Sequence, residues 1–262
     1  MKKLLFSLLT IAALSSAISL QAQTDIPATE PVLEKPNIIK FNVSGVVLGY
    51  YTLQYERVIN PKQSAAISIG IAPEMDLPFK QTLLNIFGDN AQATEAINTT
   101  TLSSTSITPE YRFYTGVKGA PFGFYASTFI RYTHMTHNGT YEFNLSDGAH
   151  HPVIETTFNG VGLGEMIGVQ WKIGSSMTLD WWIIGPYIGY LNGSSHGDDD
   201  RVIRDDDKVK LESDIEAIQI PGWTIDATVV DNPTTGLGDV TADLKGIFYG
   251  ARVFGICLGY RF

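Results

Sequence analysis

The chain has 262 residues, 17% of them charged, with 18 basic against 27 acidic side chains, a formal charge of −9 and a mean hydropathy of +0.04. An acidic balance without clustered Lys and Arg excludes a nucleic-acid surface, which needs cations to displace phosphate counterions. The lone cysteine, Cys257, excludes an internal disulfide, and past the amino terminus no run approaches the ~20 apolar residues of a membrane helix.

The start, "MKKLLFSLLTIAALSSAISLQAQ", sets Lys2 and Lys3 before an apolar run from Leu4 to Leu14 and then small residues. This is the layout of a secretory signal, too short in its apolar part to span a bilayer. Residues 1–22 are read as the signal, with cleavage after Ala22 preferred and Ala17 the second candidate. Loss of both lysines leaves 16 basic against 27 acidic residues, a charge near −11. Residues 23–37 read as a flexible, proline-containing lead-in, and 38–262 as the folded unit.

Within that unit the period is two, the mark of strands. Residues 38–48 and 50–58 form two runs about Gly49, which suits a tight turn. After Asn60 and Pro61, "QSAAISIGIA" alternates Ile67, Ile69 and Ile71 with small residues. The connection 73–102 has helical spacing in places. A strand at about 103–115 precedes the short turn "GVKGAP". Two long strands, about 121–143 and 152–174, flank "NLSDGAHH". After Gly174, Ser175 and Ser176 comes the strand 177–192, whose Trp, Ile and Tyr content favours a strand over a helix. A long connection, 193–242, leads to a last strand ending "FYGARVFGICLGYRF". The count is about eight. The second, fourth and sixth connections are short, the third and seventh are long, and the fifth caps two strands that overshoot. Short turns on one rim and long loops on the other is the asymmetry of bacterial outer-membrane barrels.

Glu56, Glu110, Arg112 and Arg131 fall on the parity that carries many small residues. Tyr51, Leu53 and Tyr55 oppose Thr52, Gln54 and Glu56; Ile107, Tyr111 and Phe113 oppose Thr108, Glu110 and Arg112; Phe124, Ile130 and Tyr132 oppose Tyr125, Ser127 and Arg131. In a soluble ligand-binding barrel the charges would lie outside. In a narrow membrane barrel Glu56, Glu110, Arg112 and Arg131 point inward as a paired polar network, with Gly, Ala and Ser filling the rest. The signal, the loop asymmetry and the aromatic strand ends favour the membrane arrangement. Glu165 shares parity with Leu163 and Ile167; it lies either beyond the bilayer or at a bulge that re-aims it. In the last strand Phe254, Ile256, Leu258, Tyr260 and Phe262 take the lipid parity, as does Arg252, while Val253, Gly255 and Cys257 face inward, Cys257 as a packing residue.

The segments "VVLGYYTLQYERVI", "GFYASTFIRY" and "VGLGEMIGVQWKIG", followed by "GICLGYRF", resemble a family of small Gram-negative outer-membrane β-barrel proteins with no assigned activity, over roughly residues 38–262 without the long loops. The resemblance implies an eight-stranded antiparallel, up-and-down transmembrane barrel with a filled lumen. It also implies that Tyr260 and Phe262 belong to the signal read by the barrel-assembly machinery.

His134, His137, His150 and His151 lie near one hairpin tip and are weak metal candidates, because an i,i+3 pair on a strand points to opposite faces. The aspartate triplets of "HGDDDRVIRDDDKVKLESD" offer oxygen ligands, but the interleaved Arg201, Arg204, Lys208 and Lys210 fit a solvated loop better. His134 beside serines is the one candidate for a lipid-modifying enzyme and lacks a nucleophile motif. The expectation is therefore a monomeric outer-membrane protein without catalysis or cofactor. Its partners would be lipid, lipopolysaccharide, the assembly machinery and an extracellular ligand at the loops. Its role would be structural, surface interaction or passage of small solutes. The alternatives are an outer-leaflet lipid-modifying enzyme or a soluble secreted ligand-binding barrel.

Overall fold

The computed structural model describes residues 35–87, 91–199, 201–217 and 221–262; the predicted signal and most of the lead-in lie outside them. The strands are β1 (Asn37–Asn42), β2 (Tyr51–Asn60), β3 (Gln63–Asp76), β4 (Thr101–Tyr114), β5 (Gly123–Thr140), β6 (Phe143–Leu145), β7 (Gly148–His150), β8 (Val153–Ile173), β9 (Met177–Asp198), β10 (Trp223–Asp231) and β11 (Gly238–Arg261). The helices are α1 (Val43–Val46), α2 (Lys80–Phe87), α3 (Ala91–Thr99) and α4 (Asp205–Glu216).

All pairings are antiparallel. Strand order β1-β2-β3-β4-β5-β8-β9-β11 is closed by pairing of β1 with β11, so eight strands make a barrel. Closure leaves no sheet edge at the carboxyl end, where the Asn37 and Phe262 backbones exchange hydrogen bonds of 3.2 and 3.0 Å. β6 and β7 form a hairpin in the β5–β8 loop, and β10 adds a ninth strand to the upper part of β11.

The barrel is apolar outside and polar inside. Ile67, Ile69 and Ile71 on β3 and Leu163 and Ile188 on β8 and β9 are exposed, whereas the alternate residues Gln54, Glu56, Ser68, Glu110 and Arg112 are buried. Outward aromatics gather at two levels. Tyr55, Tyr111, Phe113, Trp171, Trp181 and Tyr260 lie by the short turns, and Tyr51, Tyr132, Tyr190 and Tyr249 lie higher. Two girdles about an apolar band, with inward charges, are the inverse of a soluble barrel.

The walls are uneven. β1 has 6 residues and β2 has 10, while β8, β9 and β11 have 21, 22 and 24. At ~3.3 Å per residue and ~40° tilt, β11 rises roughly 60 Å against an apolar band of ~25 Å. The upper halves of β9 and β11 therefore stand clear of the band. With α4, β10 and the β6–β7 hairpin they form a cap whose small core is Ile203, Leu211, Val229 and Val240.

Three readings of the sequence need correction. The first run does not stay extended to residue 48. β1 stops at Asn42, whose side chain accepts from the Gly45 backbone N–H at 3.1 Å and caps the single turn α1. Gly49 then turns the chain at φ +70°. The predicted connection 193–242 is shorter than expected, because β9 continues to Asp198 and β11 starts at Gly238. Those residues pair in register from Asp198↔Asp239 downward, and a ladder outside the apolar band suits polar side chains as well as apolar ones. Likewise β3 and β4 extend into the predicted 73–102 loop, whose centre holds α2 and α3.

The third correction concerns Arg252. Val253 and Phe254 are both exposed and Gly255 is buried, so the alternation of β11 resets there. Phe254 sits at φ +52°, and opposite it Ile183 of β9 is the extra residue of a bulge against β8. A one-residue insertion moves every later side chain to the other face. Arg252 is thus inward and buried, and Val253 is outward. Glu165 does face outward between Leu163 and Ile167; no bulge re-aims it, and Thr128 on β5 donates to its carboxylate at 2.8 Å.

Candidate functional site

In the lower half of the lumen, every barrel strand contributes a polar side chain to one network. The Arg112 guanidinium (β4) is fully buried. It donates to Glu110 at 2.6 Å, to Asp180 of β9 at 2.7 Å and to Gln54 of β2 at 3.0 Å, with Glu56 at 3.4 Å. Its face lies 4.4 Å from the Tyr125 ring of β5. Lys40 of β1 pairs with Glu56 and, at 2.6 Å, with Asp180, and donates to Gln170 of β8. Ser64 of β3 and Tyr114 both donate to Glu56, Tyr125 donates to Asp180 at 2.8 Å, and Arg252 of β11 donates to Glu110 at 3.0 Å.

Buried charges on this scale persist only when each has partners, and here each carboxylate has at least two. Aromatic rings complete the filling by lying over glycines. A Cβ on Gly168 would run into the Tyr125 ring, and one on Gly250 into Tyr187. Small residues are therefore needed on the inward parity where rings cross the lumen.

Of the residues singled out from the sequence, Glu56, Glu110 and Arg112 meet in this network. Arg131 does not. It lies higher, donating to Tyr50 at 2.6 Å and Thr108 at 3.3 Å, with no carboxylate within ion-pair distance among the described residues. Sequence reading missed Lys40, Gln170, Asp180 and Arg252. Lys40 between Ile39 and Phe41, and Asp180 between Leu179 and Trp181, carried a usable signal: a lone charge at the centre of an apolar alternation. Arg252 carried none, since its parity is reset by the bulge.

Above the network is a cavity of about 460 Å³. Its wall includes Tyr50, Thr52, Arg131, Trp182, Tyr187 and Arg252 on the lumen side and α1 with Val253 and Phe254 at the edge. β1 pairs with β11 only up to Asn42↔Cys257, and β10 begins only at Trp223↔Gly246. Between them no strand among the described residues covers the edge of β11 over residues 248–253. Among the described residues α1 bridges this seam, through Ser44, which donates to the Phe254 carbonyl at 3.1 Å and accepts from the Ile256 N–H at 2.9 Å.

The histidines do not gather. His134 contacts Asn159 at 3.0 Å, His137 contacts Tyr141 at 3.1 Å, and His151 is 3.3 Å from Glu95. His150 lies in the cap between Asp199 at 2.5 Å and Asp147 at 2.9 Å. Among the described residues two groups of ligating type occur, Glu95 with Glu142 and His151, and His196 with Asp198 and Asp239. His196 was outside the predicted set. Of the aspartate triplets, Asp199 holds His150, Asp207 accepts from Ser146, and Lys208 joins Asp205 to Asp231 at 2.9 and 2.8 Å. These side chains are occupied with pinning the β6–β7 hairpin and α4 to the wall.

Burial disfavours a charged His150, but the hydrogen bonds to Asp147 and Asp199 outweigh it and raise the imidazole above its ordinary value, against an opposing contribution from Arg201. A raised folded value means that the charged clasp contributes stability below the unfolded pKa of ~6.5. That contribution is lost as pH rises through the folded value. Limited proteolysis of the cap should therefore be slower at pH 5.5 than at pH 8.5. His150→Gln should abolish the difference at that site, while the barrel stays protease-resistant at both.

No protein-family model matches the chain, and no curated protein matches it. Among solved structures the chain is similar to the translocator domain of the autotransporter NalP from Neisseria meningitidis. Identity is 10%, coverage is 86% of this chain and 85% of that one, and the TM-score is 0.30. A likeness this low carries nothing about activity.

Proposed function

We propose that the chain is a non-catalytic outer-membrane protein: a closed barrel that carries a folded cap outside the cell and binds a ligand, rather than a pore for diffusing solutes. The observation that supports this most is the lumen network. Lys40, Glu56, Arg112 and Asp180 are buried and in contact across the barrel, and an eight-stranded barrel has an interior only wide enough for side chains. The predicted signal, the two girdles and the apolar band support the location. The cap, with its own small core, is a surface that extracellular partners could meet without entering the barrel.

Planar-bilayer recording tests the closed lumen. The wild-type chain should show no unitary conductance, whereas a passage for small ions would show steps that Glu110→Ala or Arg112→Ala alters. Reproducible wild-type steps would move the reading to small-solute passage. Lipid turnover abolished by His134→Ala would move it to an outer-leaflet enzyme.

A further inference from the structure

The cavity above the network has a charged wall, an apolar exit and polar atoms left without partners. Arg131 sits on its wall. Two of its nitrogens are used by Tyr50 and Thr108, but Nε is buried without a hydrogen-bond partner. Thr52, buried on the same wall, has an unpartnered hydroxyl. Buried donors without partners are uncommon, and an arginine without a carboxylate is a site for an anion. None is supplied among the described residues, because Glu56, Glu110 and Asp180 are already shared among Lys40, Arg112 and Arg252. Arg252 also lines the wall, paired with Glu110 at 3.0 Å and with its guanidinium 4.2 Å from the Trp182 ring.

The exit faces the apolar band. At the seam Val47 is 87% and Phe254 69% exposed, and Val253 projects outward beside them. Phe254 also holds a positive φ there, a backbone conformation that a non-glycine residue adopts at a cost. A helical turn stands where β1 would otherwise continue, so the edge is covered by a few side-chain bonds through Ser44 and not by a ladder.

We infer that this cavity binds a single-chain amphiphile with one anionic head group, a carboxylate or a phosphate monoester, held by Arg131 with help from Thr52, its alkyl chain passing through the α1 seam into the surrounding lipid. The volume lies in the ordinary range for small-ligand sites, ~300–1,000 Å³. The inference rests on the membrane placement proposed above, since only lipid would receive the chain at the seam.

Native mass spectrometry of the mature chain in neutral detergent, with palmitate, hexadecyl phosphate and hexadecanol as probes, tests it. One equivalent of palmitate or hexadecyl phosphate should be retained, and the comparison of the two assigns the head group. Hexadecanol should not be retained. Arg131→Gln should weaken retention at least tenfold, and Arg131→Lys should restore most of it. Ala251→Trp, whose outward side chain would stand across the mouth at the seam, should weaken retention of both anions. Heat-modifiable gel mobility of each variant reports that its barrel is folded. Equal retention of hexadecanol, or unchanged retention by folded Arg131→Gln, overturns the inference alone. Extraction of the protein from membranes without detergent overturns both this inference and the membrane placement.

Discussion

Replacing Arg112 by Ala should destabilise the barrel by about 3–5 kcal/mol, the range for removing one partner from a buried ion pair. The size of the effect comes from what stays behind. Glu110, Asp180 and Glu56 all contact Arg112, and all are buried. Lys40 still serves Asp180 and Glu56, but Glu110 keeps only Arg252 and one long bond from Gln54. Arg112→Lys should cost less, because the charge survives while the planar fork that reaches Glu110, Asp180 and Gln54 together is lost. Urea unfolding of the refolded chain in lipid vesicles, followed by fluorescence of its four tryptophans, gives both values. A loss below about 1 kcal/mol for Arg112→Ala would mean that water fills the lumen and screens these charges.

The second large effect should come from the opposite face. Ile69 lies near the middle of β3, exposed on the outer wall and paired across to Leu53 and Ile107. Ile69→Arg should cost about 2–4 kcal/mol in a bilayer, the figure for a cation at the midplane of a lipid-facing strand. In a soluble barrel the same change would put a charge into water and cost nearly nothing. Tyr55→Arg, near the short-turn girdle, should cost ~0–1 kcal/mol, because the side chain reaches the interface. Vesicle unfolding titrations of the two variants against wild type measure this depth dependence. Equal and negligible costs at both positions would mean that the outer wall faces water.

Much of the fold was legible because a strand writes its two faces into alternate residues. The order of strands, their inward parity from Tyr51 to Arg131 and the alternation of short turns with long loops follow from that pattern. So does the inward position of Glu56, Glu110 and Arg112. Failures cluster where the period breaks. At Asn42 a capping side chain competes with the strand and starts a turn, although Val46, Val47 and Leu48 favour extension by composition. At Phe254 one extra residue reverses the parity, and Arg252 moves from the lipid face into the network with it. The first is a local cap that Asn42 itself signals, three residues before Gly45; the second has no one-dimensional signature, since it depends on the neighbouring strand.

The candidate site divides in the same way. Charges set singly among apolar residues announce that something polar lies inside, and Lys40 and Asp180 belonged to that set as plainly as Glu56. Which charge meets which depends on stagger between strands up to 142 residues apart, as between Glu110 and Arg252. The cavity is a further step removed. It exists because β1 is six residues long beside a β11 of 24, so closure is complete below and partial above.

By itself, then, the sequence determined an all-β chain with an apolar exterior and a charged interior, since burial acts on side chains one at a time and leaves its mark at each position. The tertiary structure alone decided how those charges pair, that Arg131 stands apart from them, and that a seam opens above them. Pairing, register and closure are relations between strands, set by distances that no local pattern contains.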